Sequence, residues 1–441
     1  MPAREEPAVP SVRTEAEAVL QGDRARARDL AARLIVPRKD NLVARPWGGR
    51  RMDGFKGLTK AASAQDAPIG ESFEIAADDG DAEAREHPSV IPLHDGSVVK
   101  LPELLRGHAE TLLGKEFVAR YGPRFPLLPK FLDIAELLSV QGHPEGNTEA
   151  YVIVAADEGA TIRLGFARDI EPRKLAARLA AGRADQQRLL ELCASHVAPQ
   201  TLQGVLKPWL AKRGVAASDL EPALRPLLAE SATWGEAADA LGALHGLYWE
   251  VLDLMNAVPV SAGRVLYNAT PERIATATGR PASAEVHALG NPEGLEILAL
   301  EIRRPGPTFR AWDNVRFPLR DIDVAGTIAV LNLQRTRPEE FAIEPRAVPG
   351  RPGVSVSVDC AHFRIEHLAP TKLLAVTVPA EPPHCLHALD GEVVVYASDG
   401  ELAGRLARGE SAIVPVGVGA YRVAAEGERA AVVKVNVPID G

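Results

Sequence analysis

The residues of this chain whose types and spacing could do chemistry lie in LLPKFLDIAELLSVQGHPEGNTEAY, Leu127 to Tyr151. On a β-strand, residues two apart share a face, so the amide oxygen of Gln141 and an imidazole nitrogen of His143 can converge on one ion. Glu149 follows across a short turn and adds a carboxylate, so that Gln141, His143 and Glu149 lie close together at what reads as a strand edge. A mixed oxygen and nitrogen donor set suits zinc. Three protein ligands leave room for a distant fourth plus water or substrate, the pattern of a catalytic rather than a structural site. The bland alternative is a hydrogen-bonded strand pair with no metal.

The elements that must hold such a site belong to an ordinary globular chain. With 441 residues, 46% hydrophobic and 25% charged, the sequence reads as roughly two to four domains. A net charge of −9 without a long basic run argues against nucleic acid or a membrane surface as partner. The three cysteines, Cys193, Cys360 and Cys385, form no CxxC, so neither a disulfide framework nor a thiolate zinc site is indicated. No apolar leader and no run of about 18 apolar residues is seen, which predicts a cytoplasmic protein. Phosphate-binding and dinucleotide glycine motifs are missing, and Gly70-Glu71-Ser72 lacks the second glycine of a hydrolase elbow, so ATP, NAD and acyl-enzyme chemistry find no support.

Along the chain, residues 11–36 carry charges and Ala/Leu at helical spacing, which predicts an amphipathic helix closed by Pro37. From Asn41 to about Phe166 short apolar runs between Gly, Pro and Asp predict strands. Residues 167–255 read as helices, rich in Leu and Ala three and four apart. Strand patterns return at Gly263, and the last hundred residues read as a small barrel or sandwich. Proline-rich AVPGRPGVS, Ala347 to Ser355, is the expected linker.

Two motifs carry a family resemblance. Lys130, Ser139, Gln141, His143, Pro144 and Glu149 resemble the zinc-site region of type I mannose-6-phosphate isomerases, and downstream His287, Glu301 and Arg310 are similar to that family's later strands. Trp47-Gly48-Gly49 and Gly70-Glu71-Ser72-Phe73-Glu74 agree more weakly. The resemblance implies a mainly β fold of two cupin-type (jelly-roll) barrels with an α-helical domain inserted in the first. The implied divisions are a helical extension at 1–36, a catalytic domain at 37–345 interrupted at about 167–255, and a cupin-like domain at 346–441. It further implies one zinc per chain held by Gln141, His143, Glu149 and His287, a phosphorylated hexose as substrate, and a monomer or small homo-oligomer. Glu301 and Arg310 would act in catalysis, while Lys130, Ser139 and Arg316 would gather the phosphate. Arg316 stands where the family has a lysine. The chain departs from the pattern at Asn147, where a lysine is common, in the five-residue loop between His143 and Glu149, at Pro305-Gly306-Pro307, and at Arg303 and Arg304, where amides are common.

Physical chemistry makes the implied roles coherent. Aldose–ketose isomerisation moves a proton between neighbouring carbons, and a dication beside both oxygens stabilises the developing charge. Glu301, a carboxylate in the otherwise apolar run LEILALEI, would have its pKa raised toward the working range by desolvation. The alternatives remain a half-buried strand carboxylate for Glu301, which shares a face with Ile297, Ala299 and Arg303, a turn histidine for His287, an aromatic-stacked guanidinium for Arg310, and solvated charges for Lys130 and Arg316. Two other functions also stay open: isomerisation or epimerisation of a different sugar or sugar phosphate, and a metal-binding cupin that senses a sugar without turnover.

Overall fold

Short runs of β-branched and aromatic residues bury one face against a second sheet, and this chain does so twice. The computed structural model describes residues 13–59 and 67–439. A seven-stranded sheet and a five-stranded sheet share one apolar interior, where Leu132, Ile134, Tyr151, Ile153, Ile297 and Ala299 of the first meet Ile162, Leu164 and Val258 of the second. Toward the C-terminus a six-stranded and a four-stranded sheet enclose another interior, with Val354, Leu368 and Leu386 packed against Val376, Val393 and Val423. The chain is mainly β.

The outer faces of these sheets are covered rather than solvated. Leu298, Leu300 and Ile302, on the outer side of the strand Ile297–Arg303, join Ile365, Cys385, Val433 and Val435 of the six-stranded sheet and the helix Leu101–Leu113 in one core. The strand is therefore buried along its whole length. Strands Thr161–Phe166 and Met255–Pro259 are antiparallel neighbours, and the residues between them form the long helices Pro172–Leu192, Pro199–Leu210 and Trp234–Leu254. Their apolar faces close over the outside of the five-stranded sheet, against Val140, Ala288 and Trp312. No helix of the described residues is long and apolar enough to cross a membrane.

Three expectations need correction. The single helix expected over 11–36 is two helices, Glu15–Leu20 and Arg24–Ala31; residues 11 and 12 lie outside the described residues. Gly22 breaks it at φ +91°, and Asp23 then caps the second helix by accepting from the amides of Ala25 and Arg26. The half assigned to strands also contains helices Leu101–Leu113 and Lys115–Tyr121. The expected linker is instead a hairpin, because Arg346 and Ala347 pair with Val356 and Ser355 across the glycines at 350 and 353, both at positive φ.

Gly182 lies where the helix Pro172–Leu192 touches the sheet that carries Arg310. A Cβ there would come within 2.0 Å of Leu247 Cδ2 and 2.9 Å of Trp312 Cη2. We expect Gly182→Ala to destabilise the fold by about 1–3 kcal/mol in urea unfolding, the usual cost of overpacking. Unchanged stability would mean that this helix is not seated on the strand as described.

Candidate metal centre

Sheet register brings the candidate ligands together from three stretches of the chain. Gln141, in the short strand Val140–Gly142, pairs with His287 on one side and Arg310 on the other. That strand is thus interior to its sheet, not an edge. The turn through 144–148 then carries the chain across to the seven-stranded sheet, where Glu149 opens the strand Glu149–Ala156 between Asn268 and Arg303. The crossing from sheet to sheet is what turns a carboxylate to face two imidazoles.

His143 Nε2 lies 2.9 Å from Glu149 Oε1, and His287 Nε2 lies 3.4 Å from Glu149 Oε2. Donors about 2.0–2.2 Å from a tetrahedral ion stand roughly 3.3–3.6 Å apart; the His287–Glu149 separation has that spacing, and the His143–Glu149 separation is a few tenths of an ångström shorter. The three donors lie within 4.8 Å of one another and all three residues are buried; among the described residues no other group of three His, Cys, Asp or Glu side chains converges this way. Backbone carbonyls set the tautomers. His287 Nδ1 donates to the Glu285 carbonyl at 2.8 Å and His143 Nδ1 to that of Pro307 at 3.3 Å, which leaves both Nε2 lone pairs facing inward. His143 Nε2 is buried yet aligned with no hydrogen-bond partner, as a metal ligand should be. The Gln141 amide places Nε2 3.1 Å from His287 Nε2, and a half-turn about its last bond puts Oε1 in that position. Tyr151, two residues along the same strand face, donates its hydroxyl to Glu149 Oε2. The residues fit a divalent cation.

Charge around this centre is finely divided. Burial works to raise the Glu149 carboxyl, but the two imidazoles when protonated hold it well below the usual range. Burial pushes His287 down to about 4, so it is neutral and able to ligate at neutral pH. Burial, then the neighbouring Glu149, pushes Glu301 up to about 8. A cleft of ≈ 140 Å³ is lined by Gln141, His143, Glu149, Glu301, Arg310, Lys130 and Ser139. His287 stands behind it, against Gln141 and Glu149. The face that could have been solvated, Ile297 to Arg303 in alternation, instead points into this interior, and Glu301 is directly opposite Lys130.

Arg316 is not brought into the cleft. Its guanidinium is buried against Asp313 at 3.1 Å and the Leu137 carbonyl at 2.7 Å. Arg320 reaches the cleft in its stead and shares Asp313 with it. Arg45, Glu71, Glu83, Arg303 and Arg320 are the further charged residues of the lining, and the sequence reading gives them no site role. Tyr151 could have been found by strand alternation from Glu149, and Glu71 by its place in the Gly70–Glu74 match. Nothing local to the sequence points to Glu83.

Residues 39–160 match the family model for the catalytic domain of type I phosphomannose isomerase. The resemblance read from the sequence holds. This match takes in Gln141, His143 and Glu149 and stops short of His287, Glu301 and Arg310. No curated protein matches the chain at a significant level. Among solved structures, the mannose 6-phosphate isomerase of Bacillus subtilis is similar at 16% identity and TM-score 0.59, over 92% of this chain and all of that one. The apo form of the Salmonella typhimurium enzyme is similar at 16% identity and TM-score 0.56, and a zinc-bound mannose 6-phosphate isomerase at 16% and 0.57, each over 92% of this chain and 98% of the other. At such identity the likeness is one of fold.

Removing one ligand should abolish tight metal binding, whereas removing a partner of a ligand should only weaken it. We expect His143→Ala to lose its metal on dialysis and Tyr151→Phe to bind roughly 10–100-fold more weakly by competition with a chelating dye. Equal affinity of Tyr151→Phe and wild type would show that the Tyr151–Glu149 bond does not orient the carboxylate.

Proposed function

We propose that this chain is a zinc-dependent isomerase that interconverts mannose 6-phosphate and fructose 6-phosphate through an enediol. One observation carries the reading: a buried His–Glu–His cluster opens, through His143 and Glu149, on the same cleft as a buried carboxyl of raised pKa, Glu301, in a chain with this family's catalytic-domain match. The similar solved structures are mannose 6-phosphate isomerases, one of them zinc-bound, which supports both the substrate and the metal. We read the two sheet pairs as cupin-type barrels, residues 37–345 and 346–441, with the helices at about 167–255 inserted in the first and residues 1–36 as an extension, in a cytoplasmic enzyme.

Gln141, His143, Glu149 and His287 would hold one zinc, which when bound supplies a Lewis acid beside the sugar's carbonyl. The remaining work falls to the protein's own groups. Glu301 removes the proton from C2 and returns it to C1, while the hydroxyl proton passes from O2 to O1; the aldose thereby becomes the ketose with no net gain or loss. A carboxyl held up to about 8 takes the C2 proton from its ionised fraction, which Arg303, 3.7 Å away, steadies, and as a stronger base than an ordinary carboxylate it keeps that proton long enough to deliver it to C1. Arg310 donates to the Ser139 hydroxyl at 3.3 Å and the Asp321 carbonyl at 3.1 Å, both neutral, so its charge is available to the enediolate. Ser139 and Arg320 take the phosphate. Arg316 contributes from behind, since it shares the Asp313 carboxylate that Arg320 would otherwise have to itself.

In a coupled assay with mannose 6-phosphate, Glu301→Gln is expected to lower kcat by roughly 10²–10⁴-fold while zinc content stays at one per chain. Zinc-loaded wild type that fails to turn over mannose 6-phosphate would reject the substrate, and full activity in Glu301→Gln would reject the base.

A further inference from the structure

The cations of the cleft fall into two groups that differ in how far they are already neutralised. At one end, Arg310 and Arg320, with Arg316 behind them, have among the described residues a single carboxylate, Asp313, within salt-bridge distance. At the other end, Arg45, Lys130 and Arg303 are met by Glu71 and Glu83, with Glu301 3.7 Å from Arg303. Glu83 does most of this. Its Oε2 lies 2.6 Å from Lys130 Nζ and 2.8 Å from Arg303 Nη2, and its Oε1 lies 4.0 Å from Arg45. Both Lys130 and Arg303 side chains are only 3% exposed, whereas Glu83 is 38% exposed and comes from the short surface helix Ala82–Glu86. A half-exposed carboxylate thus reaches in to lie between two buried cations held by neighbouring strands. Two buried cations bridged by one oxygen make the kind of seat that a phosphate oxygen would also fill. Glu83 also borders a second, outer cavity of ≈ 570 Å³, where it stands with Thr308 and Arg310 on the boundary between the two spaces.

We propose that Glu83 is a specificity-determining residue: its carboxylate fills the anion seat of Lys130 and Arg303, so that this end of the cleft accepts the neutral hydroxyls of a sugar and excludes a second phosphate. The inference rests on the isomerase reading for its substrate and refines it to a monophosphate, bound at the Arg310 and Arg320 end. It removes Lys130 from the phosphate-binding set. The burial of Lys130 and Arg303 requires an anion, and with Glu83 in place a substrate phosphate at that seat would bring like charge against it.

The test does not need turnover. Inorganic phosphate is titrated calorimetrically into the full chain as wild type, Glu83→Gln and Glu83→Gln/Lys130→Met. The amide is isosteric and removes the carboxylate that bridges the two cations, leaving Glu71 at 3.6 Å from Lys130 and Glu301 at 3.7 Å from Arg303, so Glu83→Gln is expected to bind one more phosphate per chain than wild type, and the double variant to lose it again. A folded Glu83→Gln with the phosphate stoichiometry and affinity of wild type overturns the proposal. Should Glu83→Gln not fold, wild type decides: a hexose bisphosphate must bind at least tenfold more weakly than the monophosphate, and equal or tighter binding overturns it. If phosphate is gained in Glu83→Gln while wild type shows no mannose 6-phosphate turnover, the isomerase reading falls and the seat assignment stands.

Discussion

A carboxylate that is 1% exposed cannot remain ionised without positive charge close by, and Glu149 is such a carboxylate. Beyond the Tyr151 hydroxyl its nearest polar neighbours are two imidazoles, one of which is neutral above about pH 4, and each turns a lone pair toward it. The arrangement is poorly balanced as an ion pair and well balanced as a ligand set. The rest of the site follows from it: Tyr151 fixes one carboxylate oxygen, Gln141 closes the fourth side, and the field of Glu149 helps to keep a proton on Glu301.

The fold delivers this by paying attention to both faces of every strand. Ile297–Arg303 shows how. Its outer residues, Leu298, Leu300 and Ile302, are locked into the core between the sheet pairs, which leaves Glu301 and Arg303 no choice but the interior. A one-residue slip in register would exchange the two sets, so the apolar core on one side specifies the chemistry on the other. On the five-stranded sheet the helices from 172 to 254 play the same part, pressing on Trp312 and Val140 while Arg310 and Gln141 face inward.

Much of this was legible because it is local. Gln141 and His143 are two apart, and Glu149 lies just across the turn, so period-two reasoning places their donors near one another. The order of strands, helices and strands follows from Gly- and Pro-bounded runs giving way to Leu and Ala three and four apart. Helix Leu101–Leu113 has Leu101, Leu104, Leu105 and Leu112 at helical spacing, but it is short and flanked on both sides by strand-like runs, so local pattern alone does not separate it from them. What sequence does not carry is direction and distance. Arg316 has the expected charge but turns away toward Asp313, and Glu83 meets Lys130 from 47 residues away and Arg303 from 220.

The central claim is that four side chains from two sheets form one metal site. X-ray absorption at the zinc edge on the purified, zinc-loaded chain tests it most directly, with His287→Ala as comparison. The account predicts about one zinc per chain in a mixed nitrogen and oxygen shell containing two imidazoles, reduced to one imidazole or lost altogether in the variant. A shell without imidazole, or one unchanged in His287→Ala, would contradict it.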